Sequence, residues 1–250
     1  MNFSVIIPAR YASNRLPAKL LKDIYGKPLI QLTYENALKS AAAQVIIATD
    51  DKRIKQVAEG FGAKVCMTSS AHTSGTSRIA EVLNELDIAD DEIIVNVQGD
   101  EPMLDPLVIN QVADNLHKSQ MQMATLCELV ADKEQYLDPN CVKVVFNKLG
   151  KALYFSRAPI PFFRDEQAFD LALCYKHIGI YAYRSKFIKH YLTMDSCRLE
   201  QVEKLEQLTV LNEGFDIHVQ SACGNTGFGV DTQADLDKVL AALAPSSNKG

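Results

Sequence analysis

The first hundred residues of this chain alternate strand and helix patterns and close on an apolar run that stops at a carboxylate. Strand-like segments at Phe3 to Pro8, Gln44 to Thr49, Ala63 to Thr68 and Ile93 to Val97 are separated by helical patterns at about Leu29 to Ser40, Lys52 to Phe61 and Thr76 to Leu86. Such alternation commits a chain to βαβ units, in which parallel strands are joined by right-handed crossovers. Ile93-Ile94-Val95-Asn96-Val97 is apolar nearly throughout, as a central strand covered on both faces must be. It runs directly into Gln98-Gly99-Asp100-Glu101-Pro102. Ligands of open α/β sheets bind beyond the carboxyl ends of the strands, so Asp100 stands where chemistry is expected. Read alone, the same pentapeptide is also a Gly-Asp turn closed by a proline.

From about Met121 the pattern changes. Strand-like runs at Met123 to Val130, Val142 to Asn147, Ala152 to Ser156 and His177 to Tyr183 have few long helices between them, which predicts antiparallel additions to the sheet or a small lobe. A helical stretch follows from Leu199 to Leu211, with Leu199, Val202, Leu205 and Leu208 on its apolar side. A strand at Phe215 to Ser221, a Gly-rich loop at Gly224 to Gly229 and a helix at about Gln233 to Leu243 complete the chain. The expectation is one α/β domain over residues 1–244, with a mostly parallel central sheet, a β-rich portion at about 121–184 and a flexible tail at 245–250.

At 250 residues and a net charge of -5, the chain can bury a core without staples, and its acidity argues against nucleic acid as a partner. The six cysteines show no C-x-x-C spacing, so they read as thiols of a reducing compartment rather than zinc ligands. The N-terminus enters a strand at once and no apolar run approaches membrane length. A cytoplasmic protein without membrane contact is expected.

Against this acidic background, the loop Pro8 to Lys19 holds Arg10, Arg15 and Lys19 and no acid. It follows the first strand, so it reads as an anion cradle suited to a triphosphate. It matches neither the P-loop nor G-x-G-x-x-G. His72 to Arg78 is a second polar loop before a helix. Its Ser74 and Gly75 can cap that helix or leave backbone N–H groups for a ligand. Arg78 favours the ligand, because a cation in a first helical turn calls for an anion to offset it. Asp50 and Asp51 either hold a ribose or base or cap the next helix. Asp231 and Thr232 likewise either cap the last helix or, for Asp231, complete a hard-cation site with Asp100. Arg157, His177 and Tyr181 lie in strand-like runs, and Glu206 and Gln207 on the helical stretch; for all of these a rim or solvated-face reading is equally open.

Taken together, Ile6-Ile7-Pro8-Ala9-Arg10 through Arg15-Leu16-Pro17-x-Lys19, Ala48-Thr49-Asp50, Ser74-Gly75-Thr76, Val95 through Pro102, Ala152 through Arg157, His177-x-Gly179-x-Tyr181, Leu205 through Leu208 and Gly229-Val230-Asp231-Thr232 closely resemble the 3-deoxy-manno-octulosonate cytidylyltransferases. The resemblance runs in register from the first strand to the last helix. It implies a Rossmann-like nucleotidyltransferase domain whose β-rich portion serves dimerisation and sugar binding. It also implies a homodimer and Mg²⁺-dependent transfer of CMP from CTP to 3-deoxy-D-manno-octulosonate (Kdo), with release of pyrophosphate, in lipopolysaccharide biosynthesis.

By the same resemblance Arg10, Arg15 and Lys19 bind the triphosphate, Lys19 with a catalytic part. Ala9, Thr49, Asp50, Ser74, Gly75 and Arg78 line the CTP pocket, and Asp100 and Asp231 are the Mg²⁺ ligands. Gln98, Arg157, His177, Tyr181, Glu206 and Gln207 form the sugar site. The chain departs from the family pattern at Ala18, where Gly is usual, and at Ser77, where an acid is common. It departs again at Cys197-Arg198 and Phe162, where Pro and Trp are often seen. A related acidic sugar, such as the 8-amino analogue of Kdo or a sialic acid, and a nucleotide-binding regulator without catalysis are the alternatives.

Overall fold

In the computed structural model, which describes residues 2–13, 15–72 and 74–244, the chain is α/β with a mostly parallel central sheet and antiparallel strands. Asn14 and Thr73, inside the two polar loops, and the tail expected at 245–250 lie outside the described residues. The chain groups into two compact units.

An N-terminal unit comprises Asn2–Asp87, Asn96–Asn110 and the chain from Gly224 on. It contains β1 (Phe3–Ala9), a small hairpin of β2 (Asp23–Ile24) and β3 (Lys27–Pro28), α1 (Leu29–Leu38), β4 (Gln44–Thr49), α2 (Lys52–Gly60), β5 (Lys64–Met67) and α3 (Gly75–Glu85). β1 pairs in parallel with β4 from Ser4↔Gln44 to Ala9↔Thr49, and β4 pairs in parallel with β5. Val5, Ile6 and Ile7 of β1 and Ile46 and Ile47 of β4 are fully buried. Both faces of these strands are therefore covered, as their unbroken apolar runs require. The register brings Ala9 and Thr49 side by side at the carboxyl end.

The middle unit comprises Ile88–Val95 and Gln111–Cys223. β6 (Ile93–Asn96) is buried throughout. The following α4 (Pro106–Ser119) is absent from the sequence expectation, although Pro106 at its first position is a good start signal. Val108, Ile109, Val112, Ala113 and Leu116 bury one helical face. Next come β7 (Met123–Leu129), α5 (Lys133–Leu137), β8 (Lys143–Phe146), β9 (Ala152–Ser156), β10 (Tyr175–Arg184), α6 (Ser185–Tyr191), α7 (Arg198–Glu203), α8 (Gln207–Asn212) and β11 (Ile217–Ser221). The strand order is β11-β7-β10-β6. β10 is antiparallel to β7 and to β8, β8 is antiparallel to β9, and β11 is parallel to β7. The β-rich stretch expected at about 121–184 falls inside this unit. α9 (Gln233–Ala242) belongs to the N-terminal unit.

The helix expected over Leu199 to Leu211 is two helices. Lys204 adopts φ 53°, ψ 49° and ends α7 with its N–H on the Glu200 carbonyl. A left-handed residue turns the chain out of the helix axis, so the three-residue spacing does not carry one apolar face across the break. Leu205 and Leu208 are buried, whereas Leu199 is exposed and Val202 is 81% exposed.

Candidate active site

At both ambiguous acidic positions, one residue caps a helix and the neighbouring acid is left outside that cap. Asp51 caps α2 by accepting from the Arg53 N–H, which leaves Asp50 as the other carboxylate at the end of β4. Thr232 caps α9 in a reciprocal box with Asp235, which leaves Asp231 outside the helix. The Val230 N–H donates to the Asp100 carbonyl at 2.9 Å, so the loop after β6 and the loop before α9 are stitched together where their acids emerge. Gly99 permits the tight exit from β6, since a Cβ there would lie 3.1 Å from the Pro8 carbonyl.

Asp100 and Asp231 converge on one cation. The Lys19 Nζ donates to Asp100 Oδ2 at 2.5 Å and to Asp231 Oδ1 at 3.0 Å, and Arg15 Nη2 lies 2.8 Å from Asp231 Oδ2. Burial works against the Lys19 ammonium, yet the two carboxylates outweigh it and hold its pKa above the ordinary lysine value. Arg10 is exposed on the same loop as Arg15 and Lys19. Among the described residues, no three His, Cys, Asp or Glu side chains cluster as metal ligands. Two carboxylates sharing one positive charge nonetheless suit Mg²⁺, which commonly takes one or two carboxylates and completes its shell with phosphate oxygens and water.

Glu101 is the acid that sequence reasoning passed over. Burial, and then the charges of Asp100 and Asp231, push its carboxyl up to about 8. Gly229 leaves room for it, because a Cβ at that position would come within 2.9 Å of Glu101 Oε1. Its only sequence signal is adjacency to Asp100.

The remaining nucleotide-pocket candidates line the ends of β1 and β4 and the start of α3. Ala9 and Thr49 are buried, and the Thr49 hydroxyl accepts from the Asp51 N–H at 3.2 Å. Ser74 is the N-cap of α3, accepting from the Ser77 N–H at 3.1 Å, and Gly75 is the first helical residue. Arg78 corrects the expectation that a ligand offsets its charge. It is 4% exposed, lies 3.5 Å from Asp50 Oδ2 and donates to the Thr68 hydroxyl, so the chain supplies the anion itself. The other Asp50 oxygen, Oδ1, is buried without a hydrogen-bond partner among the described residues. Such an orphan acceptor is costly unless a ligand donates to it. On the loop after β1, Tyr11 is held by Arg53, whose guanidinium stacks 3.3 Å from the ring centroid and grips Asp51 with two hydrogen bonds.

Gln98, proposed for the sugar, belongs to the N-terminal unit, where its Nε2 donates to Asn96 Oδ1 at 3.1 Å. The other sugar candidates all lie in the middle unit. The His177 ring meets Phe155 edge-on at 5.1 Å and Tyr181 at 5.2 Å between centroids, and its Nε2 is 3.0 Å from the Thr125 hydroxyl. Burial lowers the His177 pKa to about 3 and raises that of Tyr181 well above the ordinary phenol value; both are neutral near pH 7. Thr125 fills a bulge in β10, its hydroxyl lying 3.1 Å from the Ile178 carbonyl and 2.7 Å from that of Ile180. Glu206 is the N-cap residue of α8. The adjacent Gln207 is buried, with its Nε2 unpartnered among the described residues. Arg157 donates through Nε to the Glu203 carbonyl at 2.6 Å and through Nη1 to the Pro139 carbonyl at 3.0 Å.

The Cytidylyltransferase family model matches residues 4–217. A 3-deoxy-manno-octulosonate cytidylyltransferase from Ruthia magnifica is 75% identical over 243 residues, covering 97% of this chain and all of the relative. One from Haemophilus influenzae is 53% identical, covering 98% and 99%. The chain belongs to the 3-deoxy-manno-octulosonate cytidylyltransferase family. It is therefore a nucleotidyltransferase by descent, as the resemblance of its motifs implied. Among solved structures, a CMP:2-keto-3-deoxy-manno-octonic acid synthetase complexed with CTP superposes with a TM-score of 0.90 at 43% identity, covering 97% of this chain and 98% of that one. A cytidylyltransferase from Leptospira borgpetersenii, at 15% identity and a TM-score of 0.62, shares the fold.

Three departures from the family pattern have local physical consequences. Ala18 sits at φ 54°, ψ 30°, the left-handed region that glycine enters without cost and that strains a residue bearing a Cβ. Ser77 stands at the third position of α3, where its hydroxyl returns to the Ser74 N–H at 3.4 Å and so fills the capping role an acid commonly has. Cys197 caps α7 through its sulfur.

Proposed function

We infer that this protein transfers CMP from CTP to Kdo, releasing pyrophosphate and requiring Mg²⁺, as a cytoplasmic step that supplies lipopolysaccharide assembly. The observation that carries this reading is the convergence of Asp100 and Asp231 on the Lys19 ammonium, with Arg15 also paired to Asp231, in a chain 43% identical to a synthetase complexed with CTP.

The reaction joins two anions: the anomeric hydroxyl of Kdo attacks the α-phosphorus of CTP, and pyrophosphate leaves. Arg10 and Arg15 hold the triphosphate. Lys19 keeps a positive charge where charge grows on the departing phosphates, which favours the transition state over bound CTP. Mg²⁺, held by Asp100 and Asp231, supplies Lewis-acid stabilisation of phosphoryl oxygens when bound. The orphan Oδ1 of Asp50 accepts from the nucleoside, and the buried Arg78 holds that carboxylate in place. Arg157 offers its guanidinium to the Kdo carboxylate. His177 and Tyr181, both neutral near pH 7, meet the sugar hydroxyls with Glu206 and Gln207 in the middle unit, and Gln98 is the sugar candidate carried by the N-terminal unit.

A homodimer accords with the large apolar side chains that the middle unit leaves in solvent, among them Phe162 at 82% exposed, Leu153 and Val202. No described helix is long and apolar enough to cross a membrane.

Pyrophosphate release from CTP, Mg²⁺ and sugar tests the reading, with Kdo, its 8-amino analogue and a sialic acid run in parallel. Turnover that prefers Kdo supports it. Preference for another acid reassigns the sugar, and release with none of the three would leave a nucleotide-binding regulator.

A further inference from the structure

Lys143 is among the largest fully buried side chains of the molecule, at 0% exposure. It stands on β8, opposite Ser156 of β9, the residue before Arg157. Burying an ammonium costs several kcal/mol unless its protons are satisfied, so the choice of lysine here demands a task. Its Nζ donates to the Asp138 carbonyl at 2.7 Å and to the Cys141 carbonyl. Both belong to the turn that joins α5 to β8. Pro139, between them, gives its carbonyl to Arg157 Nη1 at 3.0 Å.

The second clamp on Arg157 comes from Glu203. The Glu203 carbonyl accepts from Arg157 Nε at 2.6 Å, and its carboxylate takes the Arg157 N–H at 2.9 Å and the Ser156 hydroxyl at 2.7 Å. The guanidinium is thus aimed by two backbone carbonyls, one fixed by the end of α7 and the other by a turn that Lys143 pins on either side. Burial, opposed by neighbouring Cys141 and Asp138 and reinforced by the nearby Arg157 charge, lowers the Lys143 pKa. Its partners are neutral carbonyls, so the positive character of the spot is not quenched by a hydrogen-bonded carboxylate.

We propose that Lys143 is a positioning residue for substrate carboxylate recognition: by holding residues 138–141 it places the Pro139 carbonyl that orients Arg157 toward the anionic sugar. This rests on the assignment of Arg157 to the Kdo carboxylate. It makes the middle-unit turn 138–141, rather than Arg157 alone, the determinant of how strongly an acidic sugar is preferred.

Two variants test it by steady-state kinetics with each substrate varied. Lys143→Met removes the cation and its two hydrogen bonds at nearly constant volume. Pro139→Gly loosens the exposed turn without touching the buried ammonium, so it remains informative if Lys143→Met folds poorly. The expected result for both is a KM for Kdo raised about tenfold for Lys143→Met and in the same direction for Pro139→Gly, with KM for CTP changed less than about twofold. Combining Lys143→Met with Arg157→Ala should add little to the loss from Arg157→Ala alone. Equal rises in both Michaelis constants, or full additivity in the double variant, would overturn the proposal. An Arg157→Ala variant whose KM for Kdo is unchanged would refute the parent assignment instead.

Discussion

His177 provides the sharpest quantitative test of the middle unit. The Thr125 hydroxyl has one proton and lies against two carbonyls, of Ile178 and Ile180, as well as His177 Nε2. That proton goes to a carbonyl, so Nε2–H is the donor and the ring is the neutral tautomer with its proton on Nε2. Burial holds its pKa at about 3, whereas an unfolded histidine titrates near about 6.5. The folded pKa is depressed, so the unfolded chain binds the extra proton between those values. The contribution to stability is therefore complete above the unfolded pKa and is lost as pH falls. Between about pH 7.5 and pH 5.5 the loss amounts to about 1.4 kcal/mol. Urea unfolding of wild type and His177→Gln at both pH values measures this directly, because packing differences cancel when the gap between the proteins is compared across pH. The wild-type advantage should shrink by about 1.4 kcal/mol at the lower pH. A gap that stays constant would mean that His177 titrates normally and that its burial between Phe155 and Tyr181 does not exclude the charged form.

Asp100→Asn and Asp231→Asn should each abolish pyrophosphate release while leaving the melting temperature within a few degrees, and any residual activity should need more Mg²⁺; wild-type rates at saturating Mg²⁺ would remove these residues from the metal site. Lys19→Met should lower kcat more than it raises KM for CTP, since Arg10 and Arg15 still hold the ground-state triphosphate, and an unchanged kcat would make Lys19 a binding residue only. Ala18→Gly should relieve a left-handed strain of about 1–2 kcal/mol against a smaller entropic loss in the unfolded chain, giving an increase in unfolding free energy of up to about 1 kcal/mol. A clear loss of stability in the Gly variant would show that the loop does not hold Ala18 at φ 54°.

The alternation of strand and helix through residue 100 was legible because it rests on local periodicity: β1, β4 and β6 are apolar on both faces, and α1, α2 and α3 occupy the intervals between strands. The two candidate carboxylates were legible for a related reason, since each follows a strand or Gly-rich turn where backbone stops pairing. The helical stretch near residue 200 misled because its spacing is the same whether or not Lys204 turns left-handed. Nothing in a lysine announces that turn.

Chain composition and spacing were sufficient for an α/β domain with a basic loop and acidic strand ends, because those properties follow from side chains a few residues apart. The meeting of Lys19 with Asp231 spans 212 positions. Its existence depends on β6 and the loop before α9 emerging together, joined by the Val230 N–H on the Asp100 carbonyl. The same holds for the orphan oxygen of Asp50, the raised pKa of Glu101 and the buried ammonium of Lys143. Each is a property of desolvation and of distant groups brought close, and none has a value until the chain has packed.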